Sequence, residues 1–297
     1  HVLNTRKSKR KQGCKRKRYE RNREDGFKQL FKDYFAENPT YPDNVFRRRF
    51  RMRKEVFLRL VEGVEAQDQY FHRRPDATGR LSISALQKCT AAMRMLAYGE
   101  AADRVDEYLR LSESTARISL QHFTEAVIAK FGEKYMRSPS VEDLKEILRI
   151  NAQRGFPGMI GSIDCMHWSW KNCPTAWKRQ YQGRNGEAST ILEAVASQDL
   201  WIWHSFFGLP GTFNDLTVLY RSPVFDDLLN GRAPNINYIV NGHEYNTPYY
   251  LTDGLYPNRS TFVKSNHLLQ TPKEMLFAKM QESVRKDVER AFFSITS

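Results

Sequence analysis

The sequence is poor in cysteine and has no long apolar run. Only four of its 297 residues are cysteine, at the widely spaced positions Cys14, Cys89, Cys165 and Cys173. This is too few for a disulfide scaffold and fits a reducing compartment better. No stretch reaches the roughly 18 apolar residues that a membrane span requires, and no apolar run follows the basic N-terminus as in a signal peptide. We therefore expect no membrane association, and one large or two medium domains.

Basic residues are in excess, and most of the excess lies at the N-terminus. The chain has 47 Lys+Arg against 34 Asp+Glu, a net charge of +13. Residues 1–25 hold eleven basic and three acidic residues, so they carry +8 of this charge. We predict that they form a disordered leader. A nuclear import signal, and hence a nuclear protein, is favoured over a phosphate-binding arm or a solvated tail.

Residues 26–153 are predicted to form an all-helical region. Within it, residues 81–131 indicate a long helix, a short helix and, after the N-cap candidate Ser112, a third helix with Ile118 and Phe123 as core candidates. This outline is that of a helix-turn-helix, although any three-helix packing unit fits it equally well. In a helix-turn-helix, the residues facing the major groove would be Ser114, Thr115, Arg117 and Gln121.

Residues 154–297 have a different pattern, with strand-like runs at residues 159–166, 189–197, 201–207 and 249–253. Helices are predicted at residues 141–153, 215–229 and 272–292. Three strands, a helix, a strand and a closing helix describe a mixed α/β sheet, in the order of a ribonuclease-H-like core. The predicted fold class is therefore α/β, with this domain preceded by the helical region.

Four carboxylates stand out by position. Asp164 and Asp253 each close an apolar strand, and at the ends of two strands of one sheet they could lie side by side and require a cation. Glu289 lies beside the predicted core-facing stripe of the last helix, which is formed at helical spacing by Val284, Val288 and Phe292. Asp215 follows a glycine-containing loop, where an ordinary helix N-cap is the better interpretation from the residues alone.

Hard oxygen ligands of this kind select Mg²⁺ or Mn²⁺, and two such ions can support phosphodiester chemistry. A zinc site is suggested by the close spacing of Cys165, His167 and Cys173, but no second close Cys/His pair completes the four ligands that zinc requires. Basic side chains near the acids could contact a DNA backbone, although a solvated surface charge is the better interpretation for any one of them. These are Lys178, Arg179, Arg184, Arg285, Lys286 and Arg290.

Long motifs give a more specific signal than these spacings. The segments GSIDCMHWSWKNCPTAW, ILEAVASQDLWIWHSFFGLPGTFNDLTVL, NGHEYNTPYYLTDGLYPNRSTFVK and RKDVERAF resemble the plant PIF/Harbinger transposases, especially the Ping/Pong-like branch. The likeness covers nearly everything from residue 43 to residue 292.

The resemblance implies an endonuclease of the DDE type on a ribonuclease-H-like fold. Its catalytic acids would be Asp164, Asp215 and Glu289, with Asp253 also in a site for Mg²⁺ or Mn²⁺. It thereby revises the interpretation of Asp215 as only a cap, and leaves open whether Asp215 or Asp253 is the second catalytic acid. Arg285 and Glu289 match the Arg-x3-Glu pattern of related bacterial insertion-sequence enzymes.

The resemblance also implies partners. These are DNA, as transposon ends and target, and a Myb-like DNA-binding protein; self-association of the chain is a further expectation that the sequence leaves open. Relatives continue beyond the motif at Phe292 with a long Arg-rich helix, so we expect a truncated C-terminus and a poorly held Glu289. The alternative functions are a catalytically inactive DNA-binding protein and an unrelated metal-dependent phosphohydrolase.

Overall fold

The computed structural model describes residues 20–75, 77, 79–183, 186–226, 236–264 and 271–296. The chain divides into two compact units, His1–Lys130 and Phe131–Ser297. Residues 1–19 of the predicted leader lie outside the described residues. The first helix already begins at Arg23, so residues 23–25 are helical and the predicted leader extends too far. Glu24 and Asp25 in the first turn favour this start, since acids interact well with a helix N-terminus.

The first unit is helical in its described part. Its helices are α1 (Arg23–Tyr34), α2 (Asp43–Phe50), α3 (Lys54–Gln67), α4 (Ala85–Tyr98), α5 (Asp106–Leu109) and α6 (Glu113–Tyr135). Phe46, Phe50 and Phe57 are almost fully buried and pack ring on ring, with the Phe46 and Phe50 centroids 4.1 Å apart. Aromatic side chains thus provide much of the core of this unit.

The three predicted helices of residues 81–131 are present. Helix α4 begins with a capping box between Ser84 and Gln87, and the Ser112 hydroxyl accepts a hydrogen bond from the Thr115 backbone amide at the start of α6. Phe123 is buried as predicted, whereas Ile118 is 47% exposed, so its prediction as a core residue is wrong. The core face of α6 instead carries small residues such as Ala116 and Ser119.

The second unit contains a mixed five-stranded sheet. Its strands are β1 (Met159–Ser169), β2 (Ser189–Ala196), β3 (Ile202–Pro210), β6 (Tyr249–Thr252) and β7 (Phe262–Lys264), in the order β3-β2-β1-β6-β7. β1, β2 and β3 pair antiparallel, whereas β1, β6 and β7 pair parallel. A separate hairpin of β4 (Tyr238–Val240) and β5 (His243–Tyr245) precedes β6. This mixed α/β architecture agrees with the predicted class and is compatible with a ribonuclease-H-like fold.

The described α-helices of this unit besides the end of α6 are α7 (Val141–Gln153), α8 (Thr175–Tyr181), α9 (Asp215–Leu219) and α10 (Pro272–Thr296). Helices α9 and α10 pack on opposite faces of the sheet. Val288 and Phe292 of α10 pack on β2, and Leu219 of α9 packs with Ile163 in a second cluster. Helix α7 packs on β1, which explains why the compact units divide after residue 130 rather than after residue 153.

Two predicted elements differ in length from those observed. The helix predicted at residues 215–229 ends as an α-helix at Leu219, since Pro223 starts a separate 3-10 turn; its residues 227–229 lie outside the described residues. Helix α10 continues beyond Glu289 to Thr296, so Glu289 does not lie in a frayed last turn. None of the described helices is long and apolar enough to cross a membrane.

Buried polar side chains attach α10 to the rest of the unit. Asp287 is fully buried and binds both terminal nitrogens of Arg154, which follows α7, at 2.6 and 3.1 Å. Asn151 accepts a hydrogen bond from Arg154 and donates one to the carbonyl of Met159 in β1. Gln281 donates to the carbonyls of Thr252 and Val263. The orientation of α10 is therefore set by specific hydrogen bonds as well as by apolar packing.

We predict that Arg154→Met lowers the free energy of unfolding of the second unit by about 3 kcal/mol, because it leaves the buried Asp287 carboxylate with Arg290 as its remaining ion-pair partner. The measurement is urea denaturation followed by tryptophan fluorescence, which reports on this unit because all five tryptophans lie in it.

The matched control is Arg149→Met on α7, which removes an exposed ion pair with Glu146 and should therefore have a much smaller effect on unfolding. The double variant Arg154→Met with Asp287→Leu should recover much of the loss, since no charge is then left buried without its partner. Equal effects of Arg154→Met and Arg149→Met would contradict the buried ion-pair argument.

Candidate active site

Asp164 lies within β1 rather than at its end. The prediction that the strand stops near this acid is wrong, because β1 continues to pair with β2 from Cys165 to Ser169. What ends near Asp164 is the neighbouring strand β6, whose pairing with β1 stops at Ser162 opposite Leu251. Asp164 thus lies beyond the point where the neighbouring strand stops pairing, and its side chain is 16% exposed.

Asp253 follows β6 directly, at the same level as Asp164. Because Ser162 is paired with Leu251 on parallel strands, Asp164 and Asp253 each come two residues further along. Repulsion from Asp253 is one of the causes that raise the pKa of Asp164. The predicted side-by-side arrangement of these two acids is therefore supported by the register and by their electrostatic interaction.

Asp215 is the first residue of α9 and is not its cap. The cap is Asn214, whose side-chain oxygen accepts hydrogen bonds from the Thr217 amide and hydroxyl at 2.9 and 2.7 Å. Burial raises the pKa of Asp215, Asp253 raises it further, and His167 and a hydrogen bond with Cys165 act in the opposite direction. The interpretation of Asp215 as an ordinary helix N-cap is thus wrong, and its carboxylate is available to the site.

Arg285 joins Asp164 to Glu289. One terminal nitrogen of its guanidinium lies 3.1 Å from an Asp164 oxygen, and the other lies 3.0 Å from a Glu289 oxygen. Val284 and Val288, on the same stretch of α10, are buried as predicted. Arg285, which was predicted as a DNA contact, therefore forms ion pairs with the acids instead. Glu289 is connected to Asp164 through this arginine.

The acids are held at a cost in free energy. Burial raises the pKa of Asp164 to about 6, and Asp253 and Asp215 add to the rise; the Cys165 amide and Arg285 oppose it. A buried carboxylate surrounded by like charges favours its neutral form unless a cation balances it. Arg285 supplies part of that balance, and a bound metal ion would supply more.

The donor set fits a hard divalent cation in its chemistry, since it consists of carboxylate oxygens. Among the residues that the structure describes, however, no three acidic, histidine or cysteine side chains converge as a preformed cation cage. The zinc interpretation gains no support in the same part of the chain, since Cys165 contacts Tyr256 while Cys173 contacts the carbonyl of Pro174. The acids are thus electrostatically coupled without being arranged as a closed metal site.

A groove of about 880 Å³ opens beside Asp215. Its walls come from the end of β1, the start of β2, the segment after α8 and the loop before α9. Lining residues that bear on the chemistry are His167, Gln182, Glu187, Phe213 and Asp215. Asp215 is thus one of the residues that line an open groove.

The other predicted DNA contacts lie on exposed surfaces. Lys178 and Arg179 are exposed on α8, which follows β1. Arg117 and Gln121 are exposed on α6, where they contact Glu113 and Glu125 respectively. No described contact joins these four residues to the acids, and Arg184 lies outside the described residues.

Two residues near the acids were not predicted as site residues. His167 lines the groove, lies 3.3 Å from the Ser189 hydroxyl and interacts with Asp215. Glu193 of β2 is fully buried opposite Cys165; His204 lies 3.5 Å away, and neither carboxylate oxygen has a hydrogen bond among the described residues. An acid inside the apolar run ILEAVA was the available signal for Glu193.

Comparisons with known proteins identify related chains. A family model described as plant transposon protein matches residues 133–297, and one described as a domain of unknown function matches residues 26–65. The proteins named "Putative nuclease HARBI1" from Bos taurus and Rattus norvegicus are each 22% identical, over 75% and 73% of this chain. The chain spans 60% and 58% of the length of these relatives. No solved structure matches.

We predict that Asp164→Asn stabilises the metal-free protein at neutral pH. A pKa near 6, above the usual 3.8 of an aspartate, means that the fold prefers the protonated acid, so wild-type stability falls as pH rises through this window. Asparagine resembles the protonated form, and the variant should gain up to about 3 kcal/mol near pH 7 but nothing near pH 3. Urea denaturation in the presence of a chelator measures the difference.

Asp143→Asn is the control of opposite sign. Its hydrogen bond with Arg137 holds the pKa of Asp143 below its usual range, so its stabilising effect is present at neutral pH and is lost on acidification. The Asp143 variant should therefore be less stable than wild type at pH 7. A loss of stability in Asp164→Asn at pH 7 would contradict the burial argument.

Proposed function

Because the chain belongs to the plant transposon protein family, we propose that it is a DNA endonuclease of the transposase type that uses divalent metal ions. The observation that carries the proposal is the electrostatic coupling of Asp164, Asp215 and Asp253 at the edge of the sheet beside a groove. The printed name of the two mammalian relatives, which describes a nuclease, supports the same activity. A ribonuclease-H-like fold, with which the strand order is compatible, would provide the scaffold.

The proposed roles follow from the environments of the acids. Asp164, Asp215 and Asp253 would hold Mg²⁺ or Mn²⁺, two ions in all, and Glu289 would complete the set. Bound ions of this kind activate a water molecule or a DNA 3′-hydroxyl for attack at phosphorus and stabilise the oxygen that leaves. Arg285 would keep Asp164 and Glu289 oriented when the ions are absent, since its two nitrogens contact both.

DNA contacts would come from basic and polar side chains outside the acid cluster. We assign Lys178 and Arg179 to the phosphate backbone near the groove, and Arg117 and Gln121 to a helix-turn-helix formed by α4, α5 and α6. Self-association, a Myb-like partner and nuclear localisation remain predictions from the sequence.

We predict that the full chain nicks supercoiled DNA when Mg²⁺ or Mn²⁺ is present and that Asp164→Asn lowers the rate by at least about 100-fold, because the buried ligand loses its charge. Gel electrophoresis of plasmid topoisomers measures the rate. Glu142→Gln, an exposed acid on α7, is the control and should retain the wild-type rate. Cutting that needs no metal, or full activity in Asp164→Asn, would contradict the catalytic proposal.

Metal binding has a readout that does not depend on cleavage. We expect millimolar Mn²⁺ to raise the melting temperature of the wild-type chain by several degrees, because a ligand that binds only the folded state stabilises it. Asp164→Asn and Asp253→Asn should each remove most of this rise, whereas Glu142→Gln should keep it. Differential scanning fluorimetry measures the shifts, and equal shifts in all four proteins would place the ion elsewhere.

The second candidate function is DNA binding without catalysis. It is favoured by the ion pairs that Arg285 makes with Asp164 and Glu289, which partly neutralise the acids without metal. In this case the wild-type chain would not nick DNA, its affinity for duplex DNA would fall steeply with salt, and Asp164→Asn would bind as well as wild type.

A further inference from the structure

Helix α8 exposes aromatic side chains beside the groove. None of its residues is buried, and Trp177 is 52% exposed. Trp177 packs with Trp170, at a centroid distance of 6.0 Å, and with Tyr181, at 6.5 Å with the planes 28° apart. Tyr181 meets Trp170 edge to face at 5.0 Å. We call Trp170, Trp177 and Tyr181 the aromatic platform.

Exposed basic residues flank this platform in sequence. Lys171, Lys178 and Arg179 are exposed and adjacent to it in sequence, and none of the three forms an ion pair among the residues that the structure describes. Flat rings with uncompensated cations beside them are suited to a ligand that offers both π faces and negative charge. A nucleic acid strand with unstacked bases is such a ligand.

The platform is attached to the loop that carries Asp215. The Thr212 hydroxyl donates a hydrogen bond to the carbonyl of Gln180, next to Tyr181. The chain segments approach so closely at Gly211 that a Cβ atom there would lie 2.8 Å from the carbonyl oxygen of Ser189 and 3.1 Å from that of Tyr181. The end of α8 that carries Tyr181 is thereby held against the loop that leads to Asp215.

We propose that the aromatic platform stacks the bases of unpaired DNA and thereby places the adjoining phosphodiester in the groove at Asp215. The inference rests on the proposed nuclease function and deepens it by naming the substrate class as DNA that is locally single-stranded. Bases in the interior of a duplex are covered by their neighbours on both faces, so away from duplex ends the platform can stack only on unpaired bases. Lys178 and Arg179 would contact the flanking phosphates.

The test measures binding of the full chain in a chelator, so that no cleavage is needed. The probes are a fluorescein-labelled oligothymidylate of about 15 nucleotides and a blunt duplex of the same length, followed by fluorescence anisotropy. Trp177→Ala should weaken binding of the single strand by roughly 5- to 100-fold, the range found for loss of a base–aromatic stack. Binding of the blunt duplex should change less than about twofold.

Two further variants separate stacking from loss of structure. Trp177→Phe keeps a stacking ring and should recover most of the affinity for the single strand. Phe207→Ala removes an aromatic ring of similar exposure, 58%, from β3, away from the groove lining, and should leave binding of both probes unchanged. Unaltered melting temperatures of all variants would confirm that they fold.

Equal losses for single strand and duplex in Trp177→Ala would overturn base stacking, as would unchanged affinity for the single strand. A change in sedimentation behaviour of Trp177→Ala without a change in affinity would instead assign the platform to contact between copies of the chain, and would also overturn the proposal. The nuclease proposal fails on different measurements, namely DNA nicking and metal binding by the wild-type chain compared with Asp164→Asn.

Discussion

The buried ion pair between Arg154 and Asp287 is the interaction on which the placement of Arg285 and Glu289 beside Asp164 depends. Asp287 is completely buried, and the two nitrogens of Arg154 hold it from the end of α7, while Asn151 links the same arginine to the first residue of β1. Asp287 lies between Arg285 and Glu289 in sequence. Turning α10 about its axis would break this pair, so the pair fixes the face on which Arg285 and Glu289 project.

A second constraint comes from the carboxylates themselves. Asp164, Asp215 and Asp253 come from β1, from the start of α9 and from the end of β6. Asp215 and Asp253 both raise the pKa of Asp164, and Asp253 also raises the pKa of Asp215. Burial makes this repulsion costly, and Arg285 relieves it only in part. A protein that keeps such a cluster accepts a loss of stability that a bound cation would offset, as expected for a functional site.

The groove extends the site beyond the acids. Asp215 lies on one wall, and the segment that follows the aromatic platform forms another. Two glycines, Gly183 and Gly211, let these segments approach, and a Cβ at Gly183 would lie 2.9 Å from the carbonyl oxygen of Gly211. The segment after the aromatic platform and the loop before Asp215 are therefore joined by backbone contacts that leave no room for a side chain at either glycine.

Local patterns in the sequence determined much of the secondary structure and singled out Asp164, Asp253 and Glu289 by their positions, whereas Asp215 was singled out by the resemblance. The helical spacing of Val284, Val288 and Phe292 predicted the buried face of α10. Ser112 was predicted as an N-cap, and its hydroxyl accepts a hydrogen bond from the Thr115 amide. Only the tertiary structure decided that Asp164 lies inside a strand, that Asn214 caps α9 and that Arg285 bridges Asp164 to Glu289. These facts depend on strand register and helix rotation, which arise from contacts between residues far apart in the chain and leave no mark on local periodicity.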